Sequence, residues 1–142
     1  MSELYYGYKE ESKIFFDIIM EGLKGEVDDG SFWDAVDKDA VFEFCYNSPG
    51  IVNKIEGRDE YLKWFLDYST HLYKADGLRV YKDKEAGVVI LEYIVYGTHP
   101  KAKREYHNHF CSIITIKNRK ITHWRDYCDT LEFSLFSNSI EK

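Results

Sequence analysis

A chain of 142 residues, 44% hydrophobic and 31% charged, fits one domain over 1–142 that can bury its own core. Its net charge of −6, with "KAKRE" at 101–105 as the densest basic stretch, argues against a nucleic-acid partner. No apolar run approaches a membrane span or a secretion signal, and three cysteines lack any paired spacing, so we expect reduced thiols in a cytoplasmic protein.

Residues 9–25, "KEESKIFFDIIMEGLKG", put Ile14, Phe15, Ile18, Ile19 and Leu23 on one stripe and predict an amphipathic helix. Gly22 and Gly25 mark its end. A short second helix is expected over 28–40, N-capped by Ser31. "AVFEFCY" at 40–46 alternates, with Phe42, Phe44 and Tyr46 on one side, and predicts a strand. After the turn at 47–50, "IVNKIEG" offers a short partner strand. A third helix is expected over 57–73, with Asp59 and Glu60 in its first turn, where the helix dipole favours acids. Tyr61, Phe65, Tyr68 and Leu72 form its stripe, and Trp64 adjoins it.

The second half reads as strands: 77–83, 87–97, 104–117 and 120–130, with short joints that predict an antiparallel meander. The tail carries Leu131, Phe133, Leu135 and Phe136, enough to fold back on the body. Helices first and long strands afterwards predict α+β: N-terminal helices on the concave face of a curved, mostly antiparallel sheet, a cystatin-like cone. In 88–96 both strand faces are apolar: Val88, Ile90, Ile94 and Tyr96 oppose Val89, Leu91, Tyr93 and Val95. The helices cover one face. A homodimer partner is expected on the other, with coverage by the tail as the alternative.

Asp126 is the unusual residue, an acid among Trp124, Tyr127 and Cys128 in a strand that would otherwise suit a core. Its face depends on the "KNRK" turn at 117–120. A three-residue loop, Lys117–Arg119, sets Asp126 opposite Phe110, with Tyr106 and Asn108 on its side. A two-residue loop sets it with Cys111, His109 and His107, because a one-residue slip exchanges faces. We prefer the first, which unites the aromatic sides. The pocket is then lined by Phe42, Phe44, Tyr46, Tyr93, Val95, Asn108, Phe110, Asp126 and Cys128, with Trp33, Trp64 and Tyr68 from helices. Burial would raise the Asp126 pKa and suit it to acid/base work. Tyr93 and Asn108 are candidate donors beside it. The H-x-H pair His107/His109 is a weak metal pattern; no metal and no cofactor are expected. An ion pair between Glu92 and Arg125 is expected on the outer face.

The chain resembles the nuclear-transport-factor-2-like superfamily, also called SnoaL-like or ketosteroid-isomerase-like. "KITHWRDYCDTLEF" is similar to the last strand of the limonene epoxide hydrolases, which carries a catalytic Asp. "YHNHF" with "RDYCD" resembles the phenazine-biosynthesis A/B proteins, and "EGRDEYL" at 56–62 resembles the start of the third helix in both groups. The hydrolases' other catalytic positions fall on Tyr93, Val95, Phe42 and Phe44, so the resemblance carries over only the acid, Asp126. It implies a small-molecule pocket. Two readings follow: an isomerase, cyclase or dehydratase acting on an apolar or aromatic compound, or a non-catalytic binding or dimerisation module.

Overall fold

The computed structural model describes residues 10–45, 53–69, 71–99 and 104–140, with side chains over 13–45, 53–65, 71–99 and 104–136. The elements run α1 (Glu10–Gly22), α2 (Phe32–Ala35), β1 (Val36–Phe44), β2 (Lys54–Glu56), α3 (Arg58–Ser69), β3 (Leu72–Asp83), β4 (Val88–Thr98), β5 (Glu105–Lys117), β6 (Lys120–Cys128) and α4 (Thr130–Ile140). The strands form one sheet in the order β2-β1-β6-β5-β4-β3. Every pairing is antiparallel except β1 with β6, which is parallel. The expected α+β architecture is therefore present, with helices packed on one face.

α1 and the turn after it bury Phe15, Ile19 and Leu23 of the expected stripe; Phe16 is buried as well, whereas Ile14 and Ile18 are only half-buried. It lies close to the sheet at Gly22, where an added Cβ would sit 2.6 Å from Leu91 Cδ2. The second helix is shorter than expected. Ser31 does cap it, accepting from the Asp34 amide at 3.1 Å, but Val36 is already extended. Val36 is fully buried and pairs with Ile121 of β6. A β-branched residue with a strand partner outcompetes one more helical turn. Similarly, Leu72 leaves the expected third helix. It is buried at the start of β3, opposite Gly97.

The tail becomes α4. Asp129 Oδ1 accepts from the amides of Leu131 (3.0 Å) and Glu132 (3.2 Å) and so caps its first turn. Phe133 and Phe136 are buried, whereas Leu131 is 68% exposed. Phe133 stacks on Trp64 and Phe136 on Tyr106, both on the helix-bearing side of the sheet. The described tail side chains therefore do not cover the opposite face.

The β5–β6 hairpin corrects the sequence reading in one step and preserves it in another. Its loop has two residues, Asn118 (φ 51°) and Arg119 (φ 62°), and Lys117 faces Lys120. The register then shifts between Thr115 and Ile116: Ile116 faces Ile121, but Thr115 faces His123. That bulge adds one residue to β6 and reverses the slip that a two-residue loop would impose. Asp126 therefore sits opposite Ser112 rather than Phe110, yet on the expected face.

Arg119 holds a left-handed conformation that side chains disfavour. Its guanidinium compensates by tying the turn to the segment after α1. Nη2 donates to Val27 O at 2.7 Å, Nη1 to Gly25 O at 3.3 Å, and Nε to Asp28. Arg119→Ala loses these bonds and keeps the strain; Arg119→Gly loses them and relieves it. Urea unfolding should find the Gly variant more stable than the Ala variant by about 1 kcal/mol.

Candidate functional site

The concave side of the sheet carries the site. Parallel pairing of β1 with β6 sets Phe42 beside Trp124 and Phe44 beside Asp126. Antiparallel pairing brings Ser112 of β5 opposite Asp126, and β4 brings Tyr93 beside Phe110. Period-two alternation does the rest: β5 buries Tyr106, Asn108, Phe110, Ser112 and Ile114, while His107 and His109 point outward and are exposed.

Asp126 is 4% exposed, and both its hydrogen bonds end on one oxygen. Ser112 Oγ donates to Oδ1 at 2.5 Å, and Trp124 Nε1 donates to the same atom at 2.6 Å. Ser112 Oγ also lies 2.8 Å from the Tyr93 hydroxyl. Since Ser112 spends its single proton on the carboxylate, Tyr93 donates to Ser112. The three strands β4, β5 and β6 are thus joined by a buried chain from Tyr93 through Ser112 to Asp126. Oδ2 has no hydrogen bond among the described residues.

Burial pushes the Asp126 carboxyl up from 3.8 to about 6, against the pull of the Ser112 and Trp124 hydrogen bonds. The same burial, then the Asp126 charge, raises Tyr93 well above the ordinary tyrosine value, so Tyr93 is a neutral donor. Among the described residues the acid is partnered by dipoles and has no ion pair. A carboxyl that changes protonation near neutrality suits proton transfer.

The other residues expected at the site divide into groups. Phe42, Phe44, Val95 and Phe110 are buried on this face. Phe42 lies flat on Tyr61 at 3.8 Å between centroids, Phe44 meets Trp64 at 4.7 Å, and Phe110 stacks on Tyr93 at 5.7 Å. Trp64 and Cys128 are half-buried against the same core. Trp33 is fully buried, and its Nε1 has no partner. Tyr46 and the side chain of Tyr68 lie outside the described residues.

Asn108 is on the expected face, but its amide is engaged. Nδ2 donates to Tyr106 Oη and to Asp129 O, both at 3.1 Å, and Oδ1 accepts from the Asp129 amide at 2.8 Å. It clamps the junction from β6 into α4.

Ser112 and Trp124 are the residues that sequence reasoning missed. Ser112 has the same strand parity as Asn108 and Phe110, and Trp124 stands two residues before the acid, which was the available signal. On the outer face the expected Glu92–Arg125 ion pair does not form. Glu92 accepts from Tyr81 at 3.1 Å, and Arg125 donates to Tyr127 at 2.8 Å. His123 pairs with Glu43 on this face. Among the described residues no three His, Cys, Asp or Glu side chains converge as a metal group, and no helix is long and apolar enough to cross a membrane.

No family profile matches the chain. One relative does: the uncharacterised protein YesE of Bacillus subtilis (strain 168) is 30% identical over 108 residues, covering 75% of this chain and 74% of its own. The chain belongs to the YesE family. Solved structures place that family on the nuclear-transport-factor-2-like fold, which the sequence resemblance anticipated. A Bacillus subtilis protein provisionally named an isomerase superposes with a TM-score of 0.70 at 23% identity, over 97% of both chains. A phenazine biosynthesis-related protein of Pseudomonas aeruginosa superposes with a TM-score of 0.60 at 14% identity, over 89% of this chain and 84% of its own. At these identities the likeness concerns the fold.

The raised carboxyl has a consequence for this YesE relative's stability. With a higher pKa folded than unfolded, Asp126 binds more protons in the native state. The stability this confers is complete below about pH 4 and is lost as pH rises through about 6. Asp126→Asn has no such loss. Between pH 4 and 7 the variant should gain on the wild type by on the order of 2–3 kcal/mol, read from urea midpoints across pH.

Proposed function

We propose that the protein is an enzyme that uses Asp126 as acid/base in an isomerisation, cyclisation or dehydration of a small apolar or aromatic compound. The reaction needs no cofactor in this reading. One observation carries it: a buried carboxyl with one oxygen anchored, the other without a partner among the described residues, and a pKa raised to about 6. The aromatic walls at Phe42, Phe44, Trp64 and Phe110, with Val95 and Cys128, suit a flat apolar substrate. Tyr93 acts on the carboxyl through Ser112 and Asn108 acts through α4, so both are positioning residues here. The isomerase name carried by one structural neighbour and the phenazine-biosynthesis role of another are in keeping with this class.

A non-catalytic binder is the second reading. The observation behind it is that Tyr93, Ser112, Trp124 and Asn108 spend their polar atoms on one another, on Asp126 or on Asp129. Denaturing mass spectrometry of the purified protein would identify a retained small molecule. Conversion of that molecule on incubation supports the enzyme, and Asp126→Asn should then slow it by roughly 10²-fold or more. Retention without any conversion supports the binder.

We also propose a homodimer through the outer sheet face. Val88, Ile90, Ile94 and Ile113 are half-exposed there in the single chain. Neighbouring apolar side chains left half in water favour a covering partner. Sedimentation should give twice the chain mass for the wild type and a monomer for Ile94→Glu; a monomeric wild type removes the dimer.

A further inference from the structure

We propose that α4 is an acid-released strap: protonation of His99, which packs against Phe136 of that helix, unseats α4 and uncovers the Trp64 edge of the Asp126 site. The strap stands on its own geometry. Its bearing on a ligand rests on the reading of Asp126 as the centre of a small-molecule site.

His99 directly follows β4 and is 1% exposed. Its amide donates to Arg104 O at 2.9 Å, which fixes its backbone beside the start of β5. The ring meets Tyr106 edge-on at 5.7 Å and Phe136 at 5.8 Å. Phe136 in turn stacks on Tyr106 at 4.3 Å. The imidazole, the phenol ring and the peg of α4 thus form one packed cluster. Neither ring nitrogen of His99 has a partner in hydrogen-bond geometry among the described residues. An imidazole has polar atoms to satisfy at both nitrogens, and leucine would fill the same space without them. What histidine adds is a charge that appears just below neutrality.

The docked surroundings hold the ring neutral. Burial lowers its pKa below the ordinary histidine value, and the charge of Arg104 lowers it further. Glu132 of α4 and the Leu135 backbone favour the charged ring, with less effect. The other titratable groups at the cluster are Tyr106 of β5 and His71, which precedes β3. His71 is half-buried and lies edge-on to Phe136 at 5.8 Å. With α4 lifted, His99 meets water and takes up a proton at its ordinary pKa. Closure is therefore complete above about pH 6.5 and weakens as pH falls through the lower value of the docked ring.

The rest of α4 suits a strap. Asn108 clamps its start through the amide and the carbonyl of Asp129. Beyond that clamp, Phe133 stacks on Trp64 at 6.4 Å and Phe136 packs on His99. A helix of 11 residues is marginal in water without tertiary anchors, so a lifted α4 frays. Trp64 packs on Phe44 at 4.7 Å, and Phe44 is the β1 neighbour of Asp126. Lifting Phe133 opens that edge of the site.

Hydrogen exchange of the full chain, read by mass spectrometry, tests the strap. Between about pH 7.5 and about pH 5.5, after correction for intrinsic rates, α4 amides should lose protection at least about threefold while β4 and β5 keep theirs. Asp126 titrates in the same window, but its protonation stabilises the fold and acts in the opposite sense. His99→Phe keeps the ring stack without the charge, so its α4 should stay protected in acid; should that variant not fold, His99→Gln carries the same expectation. Phe136→Ala should leave α4 unprotected at both pH values, and His71→Gln should respond as the wild type does. Acrylamide should quench more tryptophan emission in acid, and Trp64→Phe should abolish the increase. Equal α4 protection at both pH values in the wild type overturns the strap, as does an equal loss in β4 and β5, which marks global unfolding. A response that persists without His99, or vanishes with His71→Gln, overturns the role of His99. A protected α4 in Phe136→Ala overturns the peg, and unchanged quenching overturns the uncovering of Trp64. None of these measurements involves a ligand, so failure of the strap leaves the Asp126 site standing, and the reverse.

Discussion

One inserted residue in β6 decides which way this protein faces. The two-residue turn at Asn118 and Arg119, continued without a break, would put Asp126 and Trp124 on the outer face and Arg125 in the core. The bulge between Thr115 and Ile116 prevents that. Burial of Trp124 at 1% exposure opposes any slip, since a one-residue shift would trade an indole in the core for a guanidinium. Arg119 secures the turn from the other end, through the carbonyls after α1. The positions of Ser112, Trp124 and Phe44 around the acid all follow from this register.

The acid is placed where its charge is expensive and then partly compensated. Ser112 and Trp124 supply two short donors to one oxygen, which is enough to hold the side chain and too little to return its pKa to that of a carboxylate in water. The second oxygen has no hydrogen bond among the described residues, and neither does the buried Nε1 of Trp33. Packing and polarity thus diverge here. Rings stack at ordinary separations around Phe42, Tyr61 and Trp64, while the polar groups among them stay incomplete.

Much of this was legible from local pattern. The α1 stripe, the Ser31 cap, the acidic first turn of α3 and the alternation of β4 and β5 each appear where periodicity puts them. Asp126 stood out because an acid among aromatics contradicts the surrounding strand pattern, and the fold buries it. The failures share a cause. Val36 and Leu72 continue helical patterns, but each becomes a strand residue through a partner far along the chain. Asn108 reads as an open amide, and its neighbour Asp129 becomes visible only once β6 turns into α4.

The sequence alone determined the class of fold, the α1 stripe and the identity of the single candidate acid, because periodicity and composition act over a few residues. Tertiary structure decided the parallel neighbour β1, the bulge, and which oxygen of Asp126 is held. Those depend on how strands pair and pack with one another, where a one-residue difference in pairing exchanges core for solvent.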